Sequence, residues 1–320
     1  MYANSYIDLL AIDLTNFQDA QVVGRVENVF PPLWEDVQTG KLMVGYLETE
    51  VTEELDCDSY GSLYQLWDGR WVKSSGGFEG DLAAFEDFSS GNAAGGGAGI
   101  GGSMARFTVV GDYLYVVDNY DMDVFDLHQA TQPSLANTVN IGWGIETIFP
   151  YQDKLFIGSN AGMFIFDNSN PTNPVQLAAF AHARACDPVF VKDNYAYVTL
   201  RDGTQCEGFV NQLDLVDISN ITSPVLKKSF PMQHPHGLSI RENDLFLCEG
   251  RFGLKSFDIT DPLTLGNHQL DLEAGLHAWD VIALPGQEKA VLVIGEDGFY
   301  QYNAQDPADL KLLSKIPVSR

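Results

Sequence analysis

Apolar and polar positions alternate along most of this chain in short runs, and the runs recur. The stretch CDPVFVKDNYAYVTL, followed after an excursion by QLDLVDISNITSPVLKKSF, fills residues 186–230. Its first apolar run ends in a polar turn; YAYVTL, QLDLVDI and the charged VLKKSF follow as three more. Runs of this length, broken by Asn, Ser, Thr and Pro, predict four antiparallel strands joined by turns, with the charged last strand at an exposed edge. One such sheet cannot bury both of its faces and needs neighbours of the same kind.

The neighbours are present. An apolar–apolar–Asp signature closes the third run at Asp13, Asp126, Asp167, Asp217 and Asp258, with YQYN at Asn303 as a weaker sixth copy. From Asp126 onward the spacings are 41, 50, 41 and 45 residues. The aligned apolar residues of the first runs, Phe107, Ile148, Val189, Leu238 and Val281, give 41, 41, 49 and 43. Two registers that agree on this period, with four strands each, predict a β-propeller; an all-β sandwich shows no such period. The expected fold is therefore all-β, with six blades of four antiparallel strands and an incomplete first blade. Residues 1–30 supply the partial blade, 31–103 an insertion, and 104–318 five blades, all in one domain of 1–320. MYANS aligns with LFIGSN at 155–160, the end of a second strand, so the chain is expected to begin inside a blade, with any targeting signal lying before it. Ring closure then has three routes: an upstream segment, a three-stranded blade, or a strand lent by the insertion.

The insertion breaks the pattern. It holds an acidic stretch, ETEVTEELDCDSY, and an aromatic piece, YGSLYQLWDGRWV, whose Asp68-Gly69 predicts a hairpin turn. KLMVGYLETEV reads as a strand available to a blade edge, and the Gly-rich run at 89–103 as a flexible segment. Insertions of this length often carry function, and a solvated linker with an appended hairpin is the other reading.

Charge narrows the partners. A formal net charge of −26 and a pI near 4.3 argue against nucleic acid and anionic membranes as partners. No stretch is long and apolar enough to read as a transmembrane helix. None of the four cysteines forms a CxxC pair, which argues against zinc. Cys186 and Cys206 fall on the same face of one blade, where a disulfide is geometrically allowed. Cys248, inside FLCEG, reads as a buried thiol, and Cys57 has no assignment.

The segments LDLVDISNITSPVLKKSF, IFDNSNPTNPVQLAAF, LKSFDITDPLTL and LLAIDLTNFQDAQVVG resemble the LVIVD-repeat proteins, a bacterial and archaeal family of exported or cell-surface β-propellers. The resemblance covers most of the chain outside 31–103, and the last blade departs from it at Asn303. It implies an extracellular, cell-surface or periplasmic propeller, often with a lipid anchor upstream. It implies no activity and no catalytic residues.

Candidate chemistry gathers where the first strands begin, around one mouth of the channel. The register places Arg106, Glu146, Asp187, His236 and Asp280 there, with Trp279 and Trp143 nearby and His234 and His277 further out. These residues form a candidate polar-ligand site, with His236 beside Asp187 as a possible base or cation ligand; channel-lining groups that satisfy strand ends are the structural alternative. The carboxylates of the loops between second and third strands, such as DNYDMD at 118–123, suit Ca²⁺, although none follows the EF-hand spacing; no other cofactor is indicated. The strand-three Asp residues read as turn caps. There is no GxSxG, P-loop, HExxH or dinucleotide fingerprint. The sequence thus favours a non-catalytic binding module for a surface protein, peptide or glycan. A hydrolase or lyase acting on an exported polar substrate at the same mouth is the alternative.

Overall fold

The computed structural model describes residues 1–16, 18–30, 34–36, 41–43, 64–67, 70–73, 101–160, 162–181, 188–202, 210–286 and 289–318. It is a six-bladed β-propeller, with one sheet of three strands and five of four, all antiparallel. Blade 1 is Tyr2–Ser5, Asp8–Asp13 and Gln21–Val26. The inner strands of blades 2 to 6 are Phe107–Val110, Ile145–Tyr151, Val189–Lys192, Leu238–Arg241 and Ala278–Ala283. In each of these blades the strands lie in chain order from axis to rim, and consecutive inner strands touch one another around the channel.

The apolar alternation explains the stacking. Each sheet turns apolar side chains to both neighbours, so the core is divided into layers between blades. Leu9 and Phe30 meet Phe107 and Leu114 between blades 1 and 2. Phe156 and Ile165 meet Val189 and Val198 between blades 3 and 4, and Phe246 and Leu254 meet Val281 and Val293 between blades 5 and 6. The fourth strands face solvent; Val225–Pro231 buries only Phe230, as its lysines lead one to expect.

The repeated acid does what a turn cap should. The side chains of Asp13, Asp126, Asp167, Asp217, Asp258 and Asn303 each accept the backbone N–H two residues on, at 2.7–3.2 Å. Just before this residue, the pairing of third and fourth strands slips by one residue in all six blades. Such a bulge sharpens the local twist, and the cap then turns the chain into the fourth strand. Asn303 performs the task as well as Asp because only a side-chain oxygen is needed.

The insertion differs from expectation in one respect. Lys41–Met43 pairs with Trp34–Asp36 in a separate two-stranded sheet, not with a blade edge. Tyr64–Trp67 pairs with Arg70–Lys73, as the Asp68-Gly69 signal predicts. The acidic stretch, Cys57, residues 89–100 of the Gly-rich run, Asp187, Cys186 and Cys206 lie outside the described residues. Cys248 is a buried free thiol whose pKa burial pushes well up.

The cap carries a measurable share of stability. Ser219, through its hydroxyl and amide, and then Lys227 hold Asp217 down at about 2, against an ordinary 3.8. Its contribution is therefore complete above about pH 4 and fades as pH falls toward 2. Asp217→Ala should cost about 1 kcal/mol at pH 7, with little of this from the solvent-screened lysine pair. In urea titrations the gap between variant and parent should close at about pH 2; a gap that persists there contradicts the assignment.

Candidate functional site

Strain and close approach mark one side of the channel mouth. Blade 5 enters its inner strand through His236 and Gly237. The His236 N–H donates to the Cys248 carbonyl (2.7 Å), and the His236 carbonyl accepts from the Thr199 hydroxyl of blade 4 (2.8 Å). Gly237 N–H donates to the Trp279 carbonyl of blade 6 at 2.8 Å. A Cβ on Gly237 would lie 1.8 Å from an Asp280 oxygen, so only glycine lets blades 5 and 6 approach this closely. Three blades are thus tied together at His236.

The imidazoles form a directed chain. Arg201 of blade 4 bonds His236 Nδ1. A guanidinium only donates, so Nδ1 accepts and the ring proton sits on Nε2. His236 Nε2 then donates to His234 Nδ1 (3.0 Å), and His234 Nε2 donates to the Asp202 carbonyl (3.2 Å). The chain begins and ends on adjacent residues of one loop. His236 is buried, and burial, then the Arg201 charge, then the other imidazoles push its pKa well below the ordinary 6.5. It is a neutral, fixed imidazole with both nitrogens engaged. The expected carboxylate neighbour, Asp187, lies outside the described residues; among those described, the ring's partners are a guanidinium and a second imidazole.

A second pair stands beside it. His277 Nδ1 lies 2.9 Å from Glu296 Oε2, and the His277 ring meets Trp279 edge to face at 5.7 Å. Behind them, Glu249 is fully buried against Lys255 Nζ at 2.5 Å and accepts the Gln233 N–H at 3.1 Å, which clamps the 249–253 loop to its own blade.

Glu146, Trp279 and Asp280 lie inside inner strands that were expected to open after them. Glu146 and Trp279 each stand at a register slip against the second strand. Bulges re-aim side chains, and these two occupy equivalent places in blades 3 and 6. Asp280 is buried against Gly237 and Gly102, and its Oδ1 accepts the Val281 N–H at 2.9 Å. Arg106 turns to Asn119 of its own blade, at 3.5 Å. The structure therefore joins His236, Trp279 and Asp280 through neighbouring backbones of blades 5 and 6. Arg106 and Glu146 stand on blades 2 and 3, and Trp143 is exposed nearby.

Two features carry no signal in the repeat. One is Arg201 as the partner of His236. The other is segment 101–105, which crosses the axis: Ser103 Oγ accepts the Leu238 N–H at 2.7 Å, and the Ala105 carbonyl accepts the Ile148 N–H at 2.8 Å. The glycines of GIGGS hint at it, because a Cβ on Gly102 would meet Asp280 at 1.9 Å. The carboxylates considered for Ca²⁺ have protein partners: Asp118 accepts the Tyr120 and Asp121 amides, and Asp123 accepts from Thr138. Among the described residues no group of three or more His, Cys, Asp or Glu is placed to hold a metal ion, and no helix is long and apolar enough to cross a membrane.

Fold and repeat together define a β-propeller built from one recurring four-stranded unit. The LVIVD repeat family model matches residues 101–141, 152–180 and 183–231, so the chain carries LVIVD repeats over these residues. No curated protein matches it. Among solved structures it resembles a functionally unknown protein from Desulfotomaculum acetoxidans (TM-score 0.51, 11% identity, 65% of this chain and 67% of that one). It also resembles the periplasmic gluconolactonase PpgL of Pseudomonas aeruginosa (0.51, 14%, 65% and 69%) and a protein from Lactobacillus plantarum (0.51, 15%, 73% and 83%). At these identities the likeness is one of fold alone.

The neutral His236 has a pH consequence. Below about 6.5 the unfolded chain takes up a proton that the folded imidazole refuses. Stability should therefore fall on acidification. Between pH 7 and 5.5 the parent should lose about 1 kcal/mol more than His236→Gln, whose amide oxygen can still accept from Arg201. Equal pH slopes in denaturant titrations would show that His236 is not held neutral.

Proposed function

We propose that this protein is an exported or cell-surface binding module that holds a polar ligand, a glycan or peptide, at the channel mouth of blades 4, 5 and 6. One observation carries the reading: the Arg201–His236–His234–Asp202 chain beside the His277–Glu296 pair and Trp279. Buried polar groups cost stability unless fully bonded, and the other inter-blade layers are built mainly from apolar side chains. An ordered set of three imidazoles at a mouth is therefore a binding feature added to the fold. The half-buried Trp279 offers an apolar surface with a polar rim, suited to a sugar ring or a peptide side chain. The exported location rests on what LVIVD-repeat proteins imply and on the acidic charge.

The hydrolase or lyase alternative has one observation in its favour. His277 has a carboxylate on Nδ1, the arrangement that orients an imidazole for proton transfer. His236 is unsuited to that task because both its nitrogens are already bonded.

The reading is tested by a thermal-shift screen of neutral and acidic oligosaccharides and short peptides, followed by calorimetry. A true ligand should bind Trp279→Ala at least tenfold more weakly than the parent and bind Asp258→Ala, altered on the opposite face, unchanged. Failure of every polar ligand to bind, or indifference to Trp279, would sink it. Turnover of a bound ligand that His277→Ala abolishes would favour the enzyme.

A further inference from the structure

Blades 2 and 4 carry a tyrosine at the same place on the second strand, and the two hydroxyls have different fates. In blade 2 the Tyr115 hydroxyl donates to the Pro171 carbonyl of blade 3 at 3.0 Å, on the face opposite the mouth. Tyr197 of blade 4 is as deeply buried, with its ring in the layer that holds Leu215, Leu245 and Phe257 between blades 4 and 5. Its hydroxyl has no hydrogen-bond partner among the described residues.

The reason lies in the corner that should answer it. In blade 3 that corner is a plain turn, SNPTN at 169–173. In blade 5 the matching proline, Pro262, opens a 3₁₀ helix over Pro262–Asn267. The carbonyls of such a helix point along its axis to the N–H three residues on, not sideways to a neighbouring blade. A cavity of about 240 Å³ opens where the bond is missing, and Tyr197 lines it together with Tyr195, Ile259 and Pro262. The main-chain groups of Tyr197 belong to the ladders with Phe190 and Leu215, so the hydroxyl is the polar group it offers there. Burial, then the Asp193 and Tyr195 side chains, push its pKa up. It therefore stays protonated, able both to donate and to accept.

The rest of the lining decides what fits. Lys192 Nζ pairs with Asp193 at 2.5 Å, and the two charges offset each other. Asn194 and Asn243 stand at corresponding turns of blades 4 and 5, where blades 2 and 3 carry Asp112 and Asp153; in all four the main-chain carbonyl accepts the N–H that follows the strand-three cap residue. Asn243 Nδ2 donates to the Thr260 hydroxyl at 3.3 Å. In a chain of net charge −26, this pocket is lined by phenols, amides and a hydroxyl with no uncompensated charge. Such groups both donate and accept, and ligand hydroxyls match them in both senses. Tyr195, Ile259 and Pro262 add apolar surface for the face of a ring. The volume is below the roughly 300 Å³ at which sites for drug-sized ligands begin, and suits one ring.

We propose that the space between blades 4 and 5, on the face opposite the mouth, is a second ligand site that takes one neutral sugar ring, with the Tyr197 hydroxyl as the buried contact that a sugar hydroxyl completes. The site shares no residue with the mouth and does not depend on it.

The test uses the full chain with D-glucose, D-galactose, D-mannose and N-acetyl-D-glucosamine, followed by ligand-observed NMR. At least one should bind saturably. Tyr197→Phe, which keeps the ring and its packing and removes one oxygen, should weaken that binding at least tenfold, and Trp279→Ala should leave it unchanged. The two tyrosines should also separate in urea. Tyr115→Phe loses its bond to blade 3 and should unfold at lower urea than the parent, whereas Tyr197→Phe should unfold no earlier than the parent. The proposal is overturned if none of the four sugars binds saturably, which would leave the cavity to water alone. It is overturned equally by a sugar that Trp279→Ala loses and Tyr197→Phe keeps, which would sit at the mouth, or by one indifferent to both. Unfolding of Tyr197→Phe as early as Tyr115→Phe also overturns it, since the hydroxyl would then already be bonded within the protein.

Discussion

Everything in this molecule depends on the inability of a four-stranded sheet to bury its own two faces. Each blade presents Val, Ile, Leu and Phe on both sides, so each is stable only between two others. Apolar burial is worth about 25 cal/mol per Å², and here it is divided into layers such as Phe156 and Ile165 against Val189 and Val198. The bulge before each capped Asp serves this packing. By twisting the third and fourth strands, it lets flat alternation become a radial stack.

That constraint also explains how much could be read from the sequence. The blades were legible because the packing is periodic, and the caps because an Asx turn requires one oxygen at one place; Asp217 and Asn303 differ in charge and act alike. The mouth was legible only as a ring of positions. Register alone put His236, Trp279 and Asp280 near the axis, but it opened two inner strands at Ile148 and Val281 where they begin at Ile145 and Ala278, because a bulge in an inner strand leaves no periodic trace. Arg201 as the partner of His236 was not legible at all. It enters from a loop whose length is unique to blade 4, and the meeting of two loops from different blades has no spacing signature. For the same reason KLMVGYLETEV looked available to a blade edge: its alternation fits any antiparallel partner, and Trp34–Asp36 is the nearer one.

The polar chain at the mouth changes what holds blades 4, 5 and 6 together. Elsewhere the layers are mainly apolar and tolerant of substitution by similar volumes. At His236 the joint is directional. Thr199, Cys248 and Trp279 fix the backbone, and Arg201 and His234 fix the ring. A fully bonded buried network resists rearrangement because every alternative leaves a donor or acceptor unmet. The half-buried His277, Glu296 and Trp279 beside it therefore stand on a rigid base, as a recognition surface requires.

The two ends of the channel follow from one another. Segment 101–105 crosses the axis because glycine allows the backbone to approach Asp280 and Gly237 more closely than any side chain would. Once it is there, it separates a polar mouth from an apolar cavity. The first is closed by side chains that bond each other, and the second is walled by apolar residues of the inner strands, Phe149, Phe190 and Ile240 among them.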